Sequence, residues 1–232
     1  MSNKPESPLT SGILPLIKPT GRSSFQMVSL LRKLTGVQKI GHAGTLDPFA
    51  SGVMVMLIGK QYTRLADQFL NHDKRYTATL FLGITTDTFD CDGTRGPSSS
   101  LIPSNEEINA ALAAFQGSYA QIPPMFSAKK INGQRLYNLA RKGVTVERVP
   151  VTVSLDITLL SYVYPYLTLD VRCSKGTYIR ALAHDIGTHL GCGAHLSSLT
   201  RTQSGPYHLA HCCDALLLMN SDYPWQTFLH DR

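Results

Sequence analysis

The segment Gly41–Pro48 (GHAGTLDP) holds a single carboxylate, Asp47, in a loop rich in glycine and closed by proline. Asp47 is the only acidic residue between Glu6 and Asp67, an interval that also carries seven basic residues. Surrounding positive charge favours the ionised form of a carboxylic acid. An ionised aspartate on a rigid loop can act as a nucleophile, so Asp47 is the first candidate catalytic residue. The ordinary alternative is an aspartate that only shapes the turn.

A second candidate cluster, Cys173–Arg180 (CSKGTYIR), joins a predicted strand to a predicted helix. Lys175 and Arg180 supply cations, and Tyr178 supplies an aromatic ring. A guanidinium can pair bidentately with a carboxylate, so Arg180 is a candidate partner for Asp47. The alternative is a plain strand–turn–helix junction with a solvated arginine.

Two further stretches combine cations with aromatic rings. Tyr76 follows Asp73-Lys74-Arg75 where a turn enters a strand, and an aromatic ring beside cations suits stacking on a nucleobase. The basic stretch Lys129–Gly143 follows a Pro-Pro pair and is a candidate phosphate clamp. A tyrosine at the edge of the core and a solvated basic face are the alternatives.

Composition suits one large domain or a domain with an appendage, since 43% of the 232 residues are hydrophobic and 16% are charged. The N-terminus lacks the apolar segment of a secretory signal. Five cysteines without framework spacing argue against a disulfide scaffold and favour a cytoplasmic protein. The net charge of +6 is concentrated in two basic blocks, 1–70 and 127–149, which indicates either a polyanionic partner or solvated faces.

The hydrophobic pattern mixes strands and helices without a regular alternation, which favours an α+β fold over a doubly wound sheet. Helices are predicted after Ser23 or Ser24 with a stop at Gly36, and after the capping box of Ser104 and Glu107. Further predicted helices are Lys60–Phe69, Thr177–Leu190 and Ala215–Met219. Pro15–Gly21 is predicted as the end of a strand that runs into a turn. Predicted strands are Val53–Ile58, Tyr76–Leu82, Tyr119–Ile122, Val151–Val163 and Tyr166–Cys173, and Asp87–Pro103 is predicted as a surface loop.

Metal and cofactor motifs do not fit this sequence. His208, His211, Cys212 and Cys213 are dense in possible ligands, but neither C-x-x-C pairs nor H-E-x-x-H occurs. Phosphate-loop and dinucleotide-binding motifs do not occur either. We therefore expect no metal site.

Taken in order, these strings resemble one family, the TruB-type tRNA pseudouridine-55 synthases. The resemblance implies the pseudouridine synthase fold, a mixed and mainly antiparallel sheet flanked by helices around a central RNA-binding cleft. It also implies that one uridine of the tRNA T loop is isomerised without cofactor or metal. The matching strings are Lys18–Gly21, Gly41–Pro48 continuing through Ala50–Gly52, Lys74–Tyr76, Pro124–Ala128, Cys173–Arg180 and Gly191–His195.

The resemblance also implies a role for each matching residue. Asp47 is the nucleophile, Arg180 pairs with it, and Tyr76 stacks on the target base and helps with proton transfer. Tyr178 lines the base pocket, and Leu199 packs against the base. The remaining expected substrate-binding residues are His42, which wedges into the RNA, Lys18, and the cations Lys129, Lys130 and Arg141 of a T-arm-gripping insertion.

The expected organisation is a disordered lead at 1–10, a catalytic domain at 11–205 with a basic insertion at about 124–149, and a short extension at 206–232. The 27 residues after Gly205 are too few for the C-terminal PUA RNA-binding domain that many members carry. We expect tRNA as the partner, no membrane association and a monomer. The alternative functions are a catalytically silent tRNA-binding or folding protein and a guide-dependent synthase.

Overall fold

The computed structural model describes residues 10–127, 129–131 and 133–231. The expected disordered lead, apart from Thr10, lies outside these residues. The described chain divides into two compact units. Unit 1 contains the residues up to Lys74 together with those from Thr200 onward, and unit 2 is Arg75–Leu199.

The helices and strands follow one another in an irregular order, as an α+β fold requires. The helices are α1 Ser24–Thr35, α2 Lys60–Thr63, α3 Ala66–Leu70, α4 Asn105–Ala114, α5 Leu136–Ala140 and α6 Ile179–His189. The strands are β1 Gly12–Lys18, β2 Ile40–His42, β3 Ser51–Ile58, β4 Lys74–Leu82, β5 Ile84–Thr86, β6 Arg95–Ser98, β7 Gly117–Gln121, β8 Lys130–Ile131, β9 Gln134–Arg135, β10 Val151–Val163, β11 Tyr166–Cys173, β12 Ala194–Ser204, β13 Tyr207–His208 and β14 Cys213–Asp214.

Unit 1 is a sheet covered by α1. Strand β1 pairs antiparallel with β3, and the end of β12 pairs parallel with β3 on its other side. Because β1 and β3 are buried along almost their whole length, they read as continuous apolar runs rather than alternating ones. Met27, Val28 and Leu31 of α1 pack on this sheet in one apolar cluster. Ser23 closes a capping box at the start of α1.

One glycine permits the approach of β12 to β3. Gly52 has a φ of 110°, and a Cβ atom at this position would lie 2.2 Å from the carbonyl oxygen of Arg201. No other residue tolerates both the backbone angle and this contact. The start of β3, which follows the Asp47 loop, is therefore held directly against β12.

Unit 2 contains the first part of β12 with β4, β11, β10 and β7, in that order. The β10–β11 pair is a long antiparallel hairpin, and β7 pairs antiparallel with β10. Strand β4 alternates buried and less buried positions, as its period-two pattern predicts. Helix α4 begins at the predicted capping box of Ser104 and Glu107.

The α+β prediction is confirmed, as are the bounds of β10 and β11. Three local predictions are wrong. The helix predicted over Lys60–Phe69 is two short helices, α2 and α3, and Ala215–Met219 forms turns. The segment Asp87–Pro103 is more than a surface loop, since it contains β6, paired with β5, and a buried Asp90.

All five cysteines are free thiols, and four of them are buried. Among the described residues, no helix is long and apolar enough to cross a membrane.

Candidate active site

The Asp47 loop of unit 1 is fixed on both sides of the carboxylate. The Ser24 hydroxyl donates to the Leu46 carbonyl at 2.9 Å and accepts from the Leu46 N–H at 3.0 Å. The Pro48 carbonyl accepts from the Gly21 N–H at 2.8 Å. Since the neighbours of Asp47 are tied to the turn after β1 and to the first residue of α1, the carboxylate sits on a rigid backbone, as a nucleophile requires.

A buried arginine holds the first half of the same loop. Arg201 is 1% exposed, and its Nη2 donates to the Gly44 carbonyl at 3.1 Å. Its Nη1 lies 3.4 Å from the Thr45 carbonyl, and its Nε donates to the Val53 carbonyl at 2.6 Å. Sequence reasoning missed Arg201. The available signal was a cation two positions after Leu199, on the buried face of a strand.

Lys18 is a second buried cation beside the loop. It is fully buried, and its Nζ donates to the carbonyls of Pro19, Arg22 and Pro48 at 2.8, 2.7 and 3.3 Å. Burial lowers the pKa of Lys18 to about 8, against the charge of Asp47, which raises it. Its three donors are used by the protein, so Lys18 supports the loop and the charge of Asp47, and its predicted substrate contact stays a prediction.

His42 ends β2, just before the Asp47 loop. Burial, and then the positive charge of Arg201, lower the pKa of its imidazole. Its Nδ1 is buried, with no hydrogen-bond partner among the described residues. A neutral, flat ring suits insertion between bases, but the wedge role of His42 stays a prediction.

Arg180 lies in unit 2, where polar groups contact its guanidinium. This arginine is 6% exposed, and its Nη1 donates to the Thr88 carbonyl at 3.0 Å and lies 3.3 Å from Asp90 Oδ2. Its Nη2 donates to the Phe126 carbonyl at 2.8 Å. Asp90 is another residue that sequence reasoning missed, because it lies in a stretch read as surface loop. The pairing of Arg180 with Asp47, which belong to different units, stays a prediction.

Three candidate residues for the base pocket, Tyr178, Tyr76 and Leu199, lie in unit 2. Tyr178 precedes α6, and the buried Gln121 side chain accepts from its N–H at 2.7 Å and donates to its carbonyl at 3.1 Å. Tyr76 lies on the buried face of β4, and Leu199 lies on β12; they are 8% and 7% exposed. Their predicted contacts with a uracil ring stay predictions.

The basic insertion is a small hairpin followed by α5. Strand β8 pairs with β9, and the Lys129 carbonyl accepts from the Leu136 N–H at 2.9 Å. The Arg141 guanidinium lies 5.6 Å from the centre of the Tyr137 ring. The side chain of Lys130 lies outside the described part of the structure, and RNA binding by these cations stays a prediction.

The potential metal ligands do not converge in the described part of the chain. No group of three or more histidine, cysteine, aspartate or glutamate side chains there could hold a metal ion.

The fold matches solved structures over nearly the whole chain. The structure titled "Crystal Structure of a Cbf5-Nop10-Gar1 Complex" aligns with a TM-score of 0.73 and 26% identity, over 96% of this chain and 60% of that chain. The structure titled "Crystal structure of the archaeal box H/ACA sRNP Nop10-Cbf5 complex" aligns with a TM-score of 0.67 and 26% identity, over 91% and 53%. The chain spans little more than half the length of these solved proteins.

The sequence profiles name the class. Residues 32–179 match "TruB family pseudouridylate synthase (N terminal domain)", and residues 180–230 match "tRNA pseudouridylate synthase B C-terminal domain". The class is that of the pseudouridylate synthases, which are isomerases.

Two similar proteins are called tRNA pseudouridine synthase B. One, from Protochlamydia amoebophila, is 59% identical over 87% of this chain and 77% of its own length. The other, from Chlamydia abortus, is 52% identical over 96% of this chain and 95% of its own length. This chain belongs to the TruB family, which confirms the resemblance found in its motifs.

Proposed function

We propose that this chain converts the uridine at position 55, in the T loop of tRNA, to pseudouridine, with Asp47 as the nucleophile. The observation that carries the proposal is the Asp47 loop: its backbone is fixed at both neighbours of the carboxylate, and the buried Lys18 lies within the field of Asp47. Family membership supplies the reaction class.

The reaction is an isomerisation whose atoms balance without oxidant, reductant or cofactor. The Asp47 carboxylate attacks the nucleotide, and the bond between uracil N1 and ribose C1′ breaks. The detached uracil turns in the site, and its C5 forms the new bond to C1′. The C5 proton leaves, N1 carries a proton in the product, and Asp47 is released unchanged. Tyr76 is the proposed group for stacking on the base and for help with the proton transfer.

The target base must leave the RNA stack before Asp47 can reach it. Unstacking costs a few kcal/mol, which new contacts to the extruded base recover. We propose that His42 fills the place that the base leaves, and that Tyr76, Tyr178 and Leu199 enclose the uracil. A closed apolar site also keeps the detached uracil from water.

The T arm is the proposed ligand of the insertion cations Lys129, Lys130 and Arg141. Phosphate contacts of this kind set position and affinity rather than sequence choice. We also propose that the chain acts as a monomer in the cytoplasm. Free thiols stay reduced in that compartment, and all five cysteines of this chain are free.

Wild-type protein is expected to form pseudouridine at position 55 of an unmodified tRNA transcript, without a guide RNA. The measurement is chemical mapping of pseudouridine along the transcript. A transcript with cytidine at position 55 is the matched control and is expected to remain unmodified. If the wild-type protein binds the transcript but leaves uridine 55 intact, the proposal fails and the silent tRNA-binding alternative, which family membership does not favour, gains support.

Activity is expected to fall above about pH 8, because Lys18 loses the proton that places a cation beside Asp47. The unfolded chain binds this proton more tightly than the folded protein between pH 8 and 10.5, so Lys18 makes the free energy of unfolding rise with pH there. Stability and activity thus move in opposite directions. The measurement is kcat from pH 6 to 9.5.

Lys18→Met is expected to react more slowly and to lose the decline centred near pH 8. Lys33→Met, at an exposed position of α1, is the matched control and should keep the wild-type profile. A Lys18→Met protein with an unchanged alkaline decline would assign that decline to another group.

A further inference from the structure

We propose that Phe89 and His184 are positioning residues for the reaction, acting through Arg180. The two rings clamp the turn that carries two of the Arg180 contacts. The inference rests on the proposed function and extends it to residues that do not touch the substrate.

One face of α6 contacts three consecutive residues of the turn after β5. Arg180 and His184 are four positions apart, so their side chains lie on the same face of the helix. Arg180 contacts the Thr88 carbonyl and the Asp90 carboxylate. His184 stacks on the ring between them, Phe89, with a centroid distance of 3.9 Å and an interplanar angle of 15°.

Phe89 has a backbone conformation that needs such support. Its φ of 65° makes it the one non-glycine residue with positive φ in the described chain. This conformation is unfavourable for a bulky residue and persists only where its surroundings hold it. Its N–H donates to the Thr86 carbonyl at 3.2 Å, and its own carbonyl accepts from the Leu196 N–H at 2.9 Å. Thr88 and Asp90, on either side of this residue, both contact Arg180 of α6.

The polar contacts inside the turn fix Asp90 as well. Its Oδ1 accepts from the Thr88 hydroxyl at 2.6 Å and from the Asp92 N–H at 3.1 Å, which leaves Oδ2 to face Arg180. A displaced Phe89 would move the residues on both sides of it. The position of the guanidinium would then depend more on the Phe126 carbonyl.

The imidazole of His184 contacts Phe89 through the face of its ring. Its Nδ1 is buried with no hydrogen-bond partner among the described residues. Burial lowers the pKa of His184, opposed by the neighbouring Asp185, so the neutral ring stacks on Phe89. An unsatisfied buried nitrogen has a cost, and the stacking contact with Phe89 offsets part of it.

The test compares His184→Ala, His184→Phe and His189→Ala. His184→Ala is expected to lower kcat on the tRNA transcript by about three- to tenfold, the value of one aromatic pair, with little change in KM. His184→Phe keeps the ring and should retain most of the wild-type kcat. His189→Ala is the matched control, since His189 lies on the same helix and contacts a different phenylalanine. The ring centroids of His189 and Phe115 are 5.8 Å apart.

A double-mutant cycle separates positioning from stability. If His184 acts through Asp90, His184→Ala will cost little further kcat in an Asp90→Asn background. Equal losses of Tm in His184→Ala and His189→Ala, with kcat unchanged in both, would overturn the inference. Full additivity with Asp90→Asn would also overturn it. Wild-type protein is the reference throughout, so failure of the proposed function would appear as an inactive wild type.

Discussion

Asp47→Asn is expected to abolish pseudouridine formation, with a loss of at least about 10⁴-fold, the scale of removing a nucleophile. The amide has nearly the shape of the carboxylate, so the loop keeps its hydrogen bonds to Ser24 and Gly21. It has neither the charge nor the nucleophilicity needed to attack the nucleotide. The measurement is single-turnover release of tritium from a transcript labelled at uracil C5, together with the affinity for tRNA.

The matched control is Asp67→Asn, an exposed aspartate in the first turn of α3. It should release tritium at the wild-type rate. Asp47→Asn is expected to bind the transcript as the wild type does, since phosphate contacts supply most of the affinity. Product formed by a verified Asp47→Asn protein would remove Asp47 as the nucleophile.

Arg201→Leu is expected to lower the free energy of unfolding by about 3–5 kcal/mol, because the buried Val53 carbonyl and the partly buried carbonyls of Gly44 and Thr45 lose their donor together. For a chain of this size the loss corresponds to a Tm lower by roughly 10 °C. Activity should fall further than stability explains, since Gly44 and Thr45 belong to the Asp47 loop. The measurements are thermal unfolding and single-turnover kinetics at a temperature where the variant is folded.

Arg32→Ala is the matched control for the loss of an arginine in unit 1. Arg32 donates to the Gln38 carbonyl at 3.0 Å in an exposed bond, which is worth little in water. Its Tm should stay within about 3 °C of wild type. If Arg201→Leu behaves in the same way, the guanidinium does not hold the Asp47 loop.

The elements that local chemistry dictates were predictable from the sequence. The capping box of Ser104 and Glu107 depends on residues three positions apart and is present, and Ser23 is the one of the two candidate serines that caps α1. The strands β10 and β11 begin and end where their patterns begin and end. The segments around Asp47 and Arg180 were recognisable because each combines charged, glycine and aromatic or proline residues in one short, distinctive string.

The supports of these residues were not predictable, because they come from distant parts of the chain. Arg201 reaches the Asp47 loop across 156 positions, and Arg180 reaches Thr88 across 92. No local pattern records such a contact. The burial of Lys18 was not predictable for a related reason: its ammonium is enclosed by three carbonyls that only the folded chain brings together. Burial of a cation depends on the tertiary structure alone.

Unit 1 is assembled from both ends of the chain, and this has a consequence during translation. Ile13 and His230 exchange two backbone hydrogen bonds of 2.9 Å, and Arg201 lies 156 positions after Thr45. At ribosomal rates of about 5–20 residues per second, Arg201 is synthesised roughly 8–30 s after Asp47. A nascent chain therefore carries Asp47 well before Arg201, which holds the first half of the Asp47 loop. Products truncated before β12 should be inert toward the tRNAs that crowd a working ribosome.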